Sequence, residues 1–247
     1  MKPAITLTNV TKIFKDGPHG RPLSAVRGVS MTVGQGEFFV LVGQSGCGKS
    51  TLLRMMSGLD VPTHGSISLG KGITPEDIGF VFQQFALLPW LSVFENVELV
   101  LFGRDPSPAS RETRVLRVLK RLGLQKFVDA HPHELSGGLR QRVGIARALV
   151  IEPKIIFMDE PFSELDSFTA EDLRQEMLRI WEEQKMTVVM VTHLIPEAIQ
   201  LADRMIVLTP RPARIEKVVV NPLSRPRQSR SPEFFALEDR LAQLVKP

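Results

Sequence analysis

The sequence predicts an α/β protein built around a parallel β-sheet. Short apolar runs without alternation are typical of strands that are covered on both faces. One of these runs leads through a glycine-rich loop into a helix, and a helix-rich stretch separates two groups of runs. The runs that predict strands are Glu37–Val42, Ile78–Phe82, Ile155–Met158, Val188–Val191 and Met205–Leu208.

Composition narrows the class of protein. The chain has 247 residues, of which 43% are hydrophobic and 23% charged, which excludes wholesale disorder. A single cysteine, Cys47, excludes a disulfide framework. The first residues lack the apolar stretch of a signal peptide, and no window is apolar enough to span a membrane. We therefore expect a protein that stays in the cytosol.

The positive charge is concentrated near the carboxyl end. The net charge is +4, and the range 204–230 alone carries seven Lys or Arg against one acid. The remainder is close to neutral, so no nucleic-acid partner is expected. Five prolines lie in 209–232, which predicts an irregular or extended segment. We interpret it as a solvated tail, with a weak attraction to anionic headgroups as the alternative.

The remaining elements follow the hydrophobic pattern in order. Ile5–Thr8 and Val29–Val33 alternate as strands do, and Lys15–Gly20 between them is a turn cluster. The stretch 84–152 is mostly helical, with its second helix at Leu139–Leu149. A short amphipathic helix closes the chain.

The glycine-rich loop fits G-x-x-x-x-G-K-[ST], a phosphate-binding pattern. Its glycines let backbone N–H groups surround phosphate oxygens, and the helix that follows directs its positive end at them. Lys49 supplies a charge for the β- and γ-phosphates, and the Ser50 hydroxyl supplies a Mg²⁺ ligand. The residues expected to bind nucleotide here are Gly43, Gln44, Ser45, Gly46, Cys47, Gly48, Lys49, Ser50 and Thr51.

Polar residues follow three of the other predicted strands. These are Gln83, the pair Asp159–Glu160, and His193 after Thr192. Carboxyl ends of parallel strands line the ligand crevice of open α/β sheets. One carboxylate there can hold Mg²⁺ and the next can polarise the attacking water.

A second possible anion site lies far along the chain. Leu135–Arg142 places the hydroxyl of Ser136 and the amides of Gly137 and Gly138 at a helix start. One nucleotide site needs only one phosphate cradle, so the second cradle requires an explanation.

Taken together, these motifs resemble the ATPase subunit of an ATP-binding cassette (ABC) transporter. Gly43–Thr51 matches Walker A, Leu135–Arg142 the signature, and Ile155–Glu160 Walker B. Gln83 matches the Q-loop glutamine, and His193 the switch histidine. Ser163–Asp166 matches the D-loop. The motifs come in family order across about 1–215.

The resemblance implies a P-loop NTPase core with an amino-terminal antiparallel portion and an inserted helical subdomain. It places the nucleotide-binding core at 1–83 and 153–215, the insertion at 84–152, and a tail with a short helix at 216–247, with one ABC domain over 1–230. It also implies two copies packed head to tail, with each ATP between the P-loop of one and Ser136–Gly138 of the other. This explains the second cradle.

The same resemblance assigns roles. Glu160 is the general base, His193 contacts the γ-phosphate, Gln83 links the metal site to a membrane partner, and Asp166 communicates across the dimer. Mg²⁺ is held by Ser50, Gln83 and Asp159, and Phe14 stacks on adenine unless it is a core residue.

Two positions depart from the family pattern. Leu194 stands where aspartate is usual and Glu164 where alanine is common. Neither departure removes a group needed for hydrolysis, but either could alter coupling or dimer affinity.

The stretch Leu87–Val97 resembles importers of the nitrate, sulfonate and taurine type, as does Ala202–Ile215. We therefore expect a peripheral ATPase on the cytoplasmic face of the inner membrane, partnered by permease subunits and indirectly by a solute-binding protein. The apolar string Leu87–Trp90 suits a groove for a helix of the permease, with ordinary core as the alternative.

Other functions remain open at this point. A soluble ABC protein of translation or DNA repair is one alternative, and an unrelated P-loop kinase or GTPase is another. His131 and His133 could bind metal, although a structural role is favoured because no further ligands have suitable spacing.

Overall fold

The computed structural model describes residues 2–15, 21–105 and 107–245. The chain forms two compact units, one of Met1–Pro75 with Lys185–Pro247 and the other of Glu76–Gln184. Each apolar run named above contains a strand, so the α/β class is confirmed. Residues 16–20 of the predicted turn Lys15–Gly20 lie outside the described residues.

The elements are numbered along the chain. The first unit begins with β1 (Pro3–Phe14), β2 (Leu23–Gly34), β3 (Phe38–Val42), α1 (Lys49–Met56) and β4 (His64–Leu69). The second unit contains β5 (Ile78–Val81), α2 (Val93–Glu98), α3 (Pro108–Arg121), α4 (Gly137–Leu149), β6 (Ile155–Asp159) and α5 (Ser167–Gln184). The first unit is completed by β7 (Thr187–Thr192), α6 (Ile195–Leu201), β8 (Arg204–Leu208), β9 (Ile215–Val220) and α7 (Pro232–Val245).

An antiparallel sheet forms part of the first unit, with the strand order β2-β1-β4. Its inward residues alternate along β1, where Ile5 and Leu7 are buried and Thr8 is exposed. The sequence analysis did not identify β4, because its residues are mostly exposed and include Gly65 and Ser66. Pairing with β1 from Thr11↔His64 to Ile5↔Leu69 forms this strand.

Parallel strands form the centre of the first unit. β3 pairs in parallel with β7 on one side and β8 on the other, and β9 joins β8 antiparallel. Every residue of β3 and β7 is buried, as the apolar runs predicted. Val42 pairs with Thr192, so the carboxyl ends of these two strands lie side by side.

The second unit pairs β5 and β6 in parallel and adds the helices. All five residues of β6 are buried. The helical spacing noted in 84–152 is confirmed by α3, where Val115 and Leu119 face the core. Val81 pairs with Met158, which brings the ends of β5 and β6 to one edge.

The expectation of a solvated tail over 209–232 is wrong. Residues 215–220 form β9, and Arg227 donates to the carbonyl oxygens of Ile199 and Gln200 at 3.0 Å each. Burial lowers the pKa of Arg227 to about 10. Arg225 pairs with Asp203. Guanidinium groups thus satisfy carbonyls at the end of α6, a role that charge counting did not predict.

Candidate functional site

The glycine-rich turn between β3 and α1 leaves little room for a side chain at Gly43 and Gly48. Gly46 and Gly48 have φ angles of +73° and +121°, a region that favours glycine. A Cβ on Gly48 would lie 2.6 Å from the carbonyl oxygen of Ala25, and one on Gly43 would lie 3.1 Å from Sγ of Cys47. The loop therefore presents backbone groups where other residues would place side chains.

Lys49 lies at the centre of this turn. Only 3% of it is exposed, and its ammonium group donates to the carbonyl oxygens of Gly43 and Gln44 at 2.9 Å each. No side chain caps the start of α1. The helix dipole and the lysine charge thus act at the same place, which suits a polyphosphate. Cys47 is buried in the same turn.

His193 follows β7 at the same edge of the sheet as the P-loop, because β7 is the neighbour of β3. The preceding residue fixes the turn: the Thr192 hydroxyl donates to the Glu197 carboxylate at 2.7 Å and accepts the N–H of Leu194 at 3.0 Å. Leu194 occupies the N-cap position of α6 without a side-chain hydrogen bond. The first unit thus brings His193 and Gly43 to adjacent strand ends.

Phe14 ends β1 and is 38% exposed, so it is not a core residue. The ammonium group of Lys12 lies 5.1 Å from the centre of its ring. This exposed ring belongs to the same unit as the P-loop.

The second unit gathers Gln83, Asp159 and Glu160 at one sheet edge. Asp159 ends β6 and is 2% exposed, while Gln83 follows β5 and is exposed. Glu160 has a φ angle of 44°, which is rare for a residue with a side chain. The backbone N–H and the hydroxyl of Ser163 both donate to the Glu160 carbonyl, at 3.3 and 2.9 Å, and hold this turn.

The signature segment starts α4 in the same unit. The Ser136 hydroxyl accepts the N–H of Leu139 at 3.3 Å and caps the helix. A Cβ on Gly138 would lie 2.5 Å from Cγ2 of Thr169, in the first turn of α5. The sequence therefore needs a glycine at 138 because α5 packs directly against it.

Asp166 lies at the start of α5. Its carboxylate accepts the N–H groups of Phe168 and Thr169 at 3.1 and 3.0 Å. Hydrogen bonds from Thr169 hold the pKa of Asp166 below its usual range. The unit thus brings the D-loop aspartate close to the signature glycines through Thr169.

The residues expected to bind Mg²⁺ are of a suitable chemical kind. Mg²⁺ usually keeps several waters and takes only one or two protein carboxylates beside substrate phosphates. The hydroxyl of Ser50, the amide oxygen of Gln83 and the buried carboxylate of Asp159 are oxygen donors of this kind. Over the described ranges there is no group of three or more His, Cys, Asp or Glu side chains that could hold a metal ion by themselves.

His131 and His133 have ring centres 6.0 Å apart. The backbone N–H of His131 donates to the Glu134 carboxylate at 2.6 Å, which favours the structural interpretation.

A groove of about 640 Å³ lies beside the loop after Gln83. Phe85, Leu87 and Pro89 are among its lining residues, and Arg140 and Glu164 contribute from the signature and D-loop segments. Trp90, the last residue of the apolar string Leu87–Trp90, is 70% exposed, so it is not a core residue.

Asn96 holds this loop in shape, and the sequence analysis did not single it out. It is fully buried, and its amide nitrogen donates to the carbonyls of Leu88, Leu91 and Ser92 at 2.9–3.1 Å. Its side-chain oxygen accepts the N–H of Leu88 at 2.8 Å. From the sequence alone, Asn96 is notable only as a polar residue in the first turns of a helix that Ser92 caps.

A second residue that sequence reasoning missed is Arg211. Its guanidinium donates to the carbonyl oxygen of Gly46 through Nε and Nη2, at 3.0 and 2.6 Å. The two residues are 165 positions apart, and no local pattern indicates the contact.

Comparison with known proteins shows the family to which this chain belongs. The sequence profile described as ABC transporter matches residues 26–163, which include the P-loop, the signature and Walker B. The chain belongs to the ABC transporter family. Its relatives extend the match over almost the whole chain.

Two relatives and one solved structure illustrate this. The bicarbonate transport ATP-binding protein CmpD of Synechocystis is 43% identical, over 90% of this chain and 80% of its own. The aliphatic sulfonates import ATP-binding protein SsuB of Bacillus subtilis is 38% identical, over 96% of this chain and 92% of its own. A dimeric post-hydrolysis state of the ATP-binding cassette MJ0796, bound to ADP and phosphate, is 37% identical with a TM-score of 0.78, covering 89% of this chain and all of that one.

This ABC protein is therefore an ATPase subunit of the transport type. The relatives favour transport over the translation or repair alternative, and the ABC profile excludes an unrelated kinase or GTPase. Among the described helices, none combines the length and apolar character that a membrane crossing requires.

Proposed function

We propose that this ABC protein binds Mg²⁺ and ATP through Gly43–Thr51 and hydrolyses the ATP to drive import across a membrane. The observation that carries the proposal is the buried ammonium group of Lys49, held by two loop carbonyls at the start of an uncapped helix. Phe14 offers an exposed ring for stacking on adenine. In this proposal the nucleotide-binding core is 1–83 with 153–215, and 84–152 is the helical insertion.

Each catalytic residue then has one task. Mg²⁺, when bound, neutralises phosphate charge, and Ser50, Gln83 and Asp159 are the residues that would hold it. Glu160 accepts a proton from the attacking water, and His193 donates a hydrogen bond to the γ-phosphate. The work of the protein is therefore positioning and charge stabilisation, as phosphoryl transfer requires.

The proposal includes a second copy of the chain, packed head to tail. The Ser136 hydroxyl accepts one bond within its own helix, and its O–H proton remains a donor. With the amides of Gly137 and Gly138, it would complete the nucleotide site of the partner, and Asp166 would sense that state across the interface. The dimeric form of MJ0796 with ADP and phosphate supports this arrangement.

The membrane partner is proposed to be a permease whose short helix enters the groove beside Leu87–Trp90, on the cytoplasmic face of the inner membrane. Phe85, Leu87 and Pro89 give the groove part of its lining, and the next residue, Trp90, is exposed and of a type enriched at binding hot spots. CmpD and SsuB are named for bicarbonate and aliphatic sulfonates. The nitrate import ATP-binding protein NrtC of Synechocystis, 41% identical over 99% of this chain and 38% of its own, is named for nitrate. A small anionic solute, delivered by a separate binding protein, is the substrate class that these names support; no nucleic-acid partner is proposed.

The base role is tested with Glu160→Gln. The variant should bind ATP but lower phosphate release by about 100-fold or more, because the amide cannot accept the proton. Light scattering should detect an ATP-stabilised dimer. Glu182→Gln, on the exposed face of α5, is the matched control. Undiminished phosphate release from Glu160→Gln would remove Glu160 from this role.

The membrane partner is tested with Trp90→Ala in the cells that produce the protein. The fraction of the chain that sediments with membranes should fall, while ATP hydrolysis by the isolated protein should not. Phe102→Ala removes another exposed aromatic ring of the same unit and serves as the control. Equal membrane binding by both variants contradicts the placement of the partner.

A further inference from the structure

Two contacts attach the P-loop to the carboxyl-terminal part of the first unit. The first is the pair of hydrogen bonds from Arg211 to the Gly46 carbonyl. The second joins the side-chain amide of Gln44 to the carbonyl oxygen of Val245, the last residue of α7, at 3.0 Å. These contacts hold the loop from outside at Gln44 and Gly46.

The segment that presents Arg211, residues 209–214, is itself fixed. The Thr209 hydroxyl donates to the Pro212 carbonyl at 3.1 Å and accepts the N–H of Arg214 at 3.0 Å. The buried Ala213 exchanges backbone hydrogen bonds with Ala25 and Arg27, at 2.9 and 3.0 Å. Arg211 therefore projects from a closed turn anchored to β2.

The contact acts on one peptide group of the P-loop. Gly46 has a φ angle of +73°, and the N–H of the next residue, Cys47, donates to the Gln44 carbonyl at 3.3 Å. Arg211 binds the carbonyl of the same Gly46–Cys47 peptide. Both ends of that peptide are therefore held, and its plane cannot rotate without breaking a bond.

The same contact has an electrostatic consequence. A guanidinium on the carbonyl polarises the peptide, and it adds a positive charge next to a loop that is expected to receive phosphates. The same segment lies close to Gly48, since a Cβ at that position would lie 3.1 Å from the methyl group of Ala213.

We propose that Arg211 is a positioning residue for nucleotide binding, acting through the Gly46 carbonyl. The guanidinium keeps the P-loop in its phosphate-binding shape, and the Gln44 contact to α7 is a second attachment of the same loop. The proposal rests on the proposed function, which places the phosphates on Gly43–Thr51.

The test is titration of the full-length protein with fluorescent ADP and fluorescent ATP. Arg211→Ala should weaken the binding of both nucleotides by about five- to tenfold, the loss expected when an exposed guanidinium and its two hydrogen bonds to one carbonyl are removed. Arg211→Lys, which retains a cationic donor, should recover part of the affinity. Arg214→Ala removes the same charge three positions away on an exposed side chain and should stay within twofold of the wild type.

Three results overturn the proposal. If Arg211→Ala binds nucleotide as tightly as Arg214→Ala does, Arg211 has no role in binding. A loss confined to ATP indicates direct contact with the γ-phosphate instead of positioning. A loss that parallels a fall in melting temperature, without rescue by lysine, indicates general unfolding.

Steady-state kinetics separates positioning from catalysis. Arg211→Ala should raise KM for ATP by a similar five- to tenfold while kcat changes less than twofold, because Glu160 and His193 are untouched. A lowered kcat at unchanged KM contradicts the proposal.

Lys49→Ala in the same titration distinguishes a failure of the P-loop assignment from a failure of the positioning role of Arg211. If that variant loses nucleotide while Arg211→Ala does not, the P-loop assignment stands and the positioning role fails. If Lys49→Ala binds nucleotide normally, the proposed function itself fails, and the role of Arg211 fails with it.

Discussion

The two glycine-rich helix starts of this protein differ in how they are held. The P-loop start at Gly48 has no side-chain cap and is shaped by Lys49 within the loop and by Arg211 from outside it. The signature start is capped by its own Ser136, and Gly138 is required because Thr169 lies against it. In the proposed function the first start binds the phosphates within one chain, whereas the second offers one hydroxyl and two glycines. This difference is what the proposed two-chain site would require.

The largest expected effect comes from removing the centre of the cradle. Lys49→Ala should weaken nucleotide binding by about 100-fold, because it deletes a buried cation and its two bonds to loop carbonyls. Fluorescent-nucleotide titration measures this loss. Lys217→Ala, on the exposed side of β9, is the control. A nucleotide affinity within threefold of the wild type would show that the P-loop start does not depend on Lys49 for binding.

The signature start should behave in the opposite way. Ser136→Arg should leave nucleotide binding by the single chain intact and lower turnover by about 100-fold, because the bulky cation would block the proposed contribution of Ser136 to the partner. Mixing this variant with Lys49→Ala chains should restore at most one intact site per dimer. No rescue at any mixing ratio argues against a shared site.

The glycines offer a sharper test of the same difference. Gly138→Ala should lower the free energy of unfolding by about 1–3 kcal/mol, and Thr169→Ser should relieve the loss because it removes the methyl group in the way. Gly48→Ala meets the backbone oxygen of Ala25 and a φ angle of +121°, so no side-chain change should rescue it. Urea unfolding of Gly138→Ala and of Gly48→Ala, each alone and combined with Thr169→Ser, measures these free energies. If Thr169→Ser stabilises both glycine variants equally, or neither of them, the packing described is contradicted.

The smallest effect concerns Asp166 at the start of α5. Its pKa is lowered in the folded protein, so its charge stabilises the fold above the unfolded pKa and ceases to do so as pH falls through the folded value. Asp166→Asn should therefore lower the melting temperature at pH 7, with a difference that shrinks below about pH 4. Asp239→Asn on α7 is the control. A difference that grows in acid contradicts the cause given.

Sequence alone could predict the parts of the site that are local. The run before Gly43, the loop to Thr51 and the helix after it are consecutive, so periodicity and glycine spacing identify them. The same holds for Ser136–Gly138 before α4 and for Asp159–Glu160 after β6.

The missed features depend on contacts between distant residues. The exposed strand β4 is formed by its pairing with β1, and no apolar pattern within it predicts that pairing. Charge and proline content predict that Arg225 and Arg227 are solvated, because composition does not indicate which backbone carbonyls a segment contacts. Arg211 was missed for the same reason, since its partner Gly46 is 165 residues away.

The backbone at Glu160 has a cost of its own. A residue with a side chain in the left-handed region loses about 1 kcal/mol relative to glycine, and Glu160 adopts a φ angle of 44° immediately after a fully buried strand. Folding stability and the placement of this carboxylate are therefore opposed. Stabilising screens of this protein should therefore replace the glutamate with glycine or asparagine, and, if Glu160 is the general base as proposed, these more stable variants should lose phosphate release.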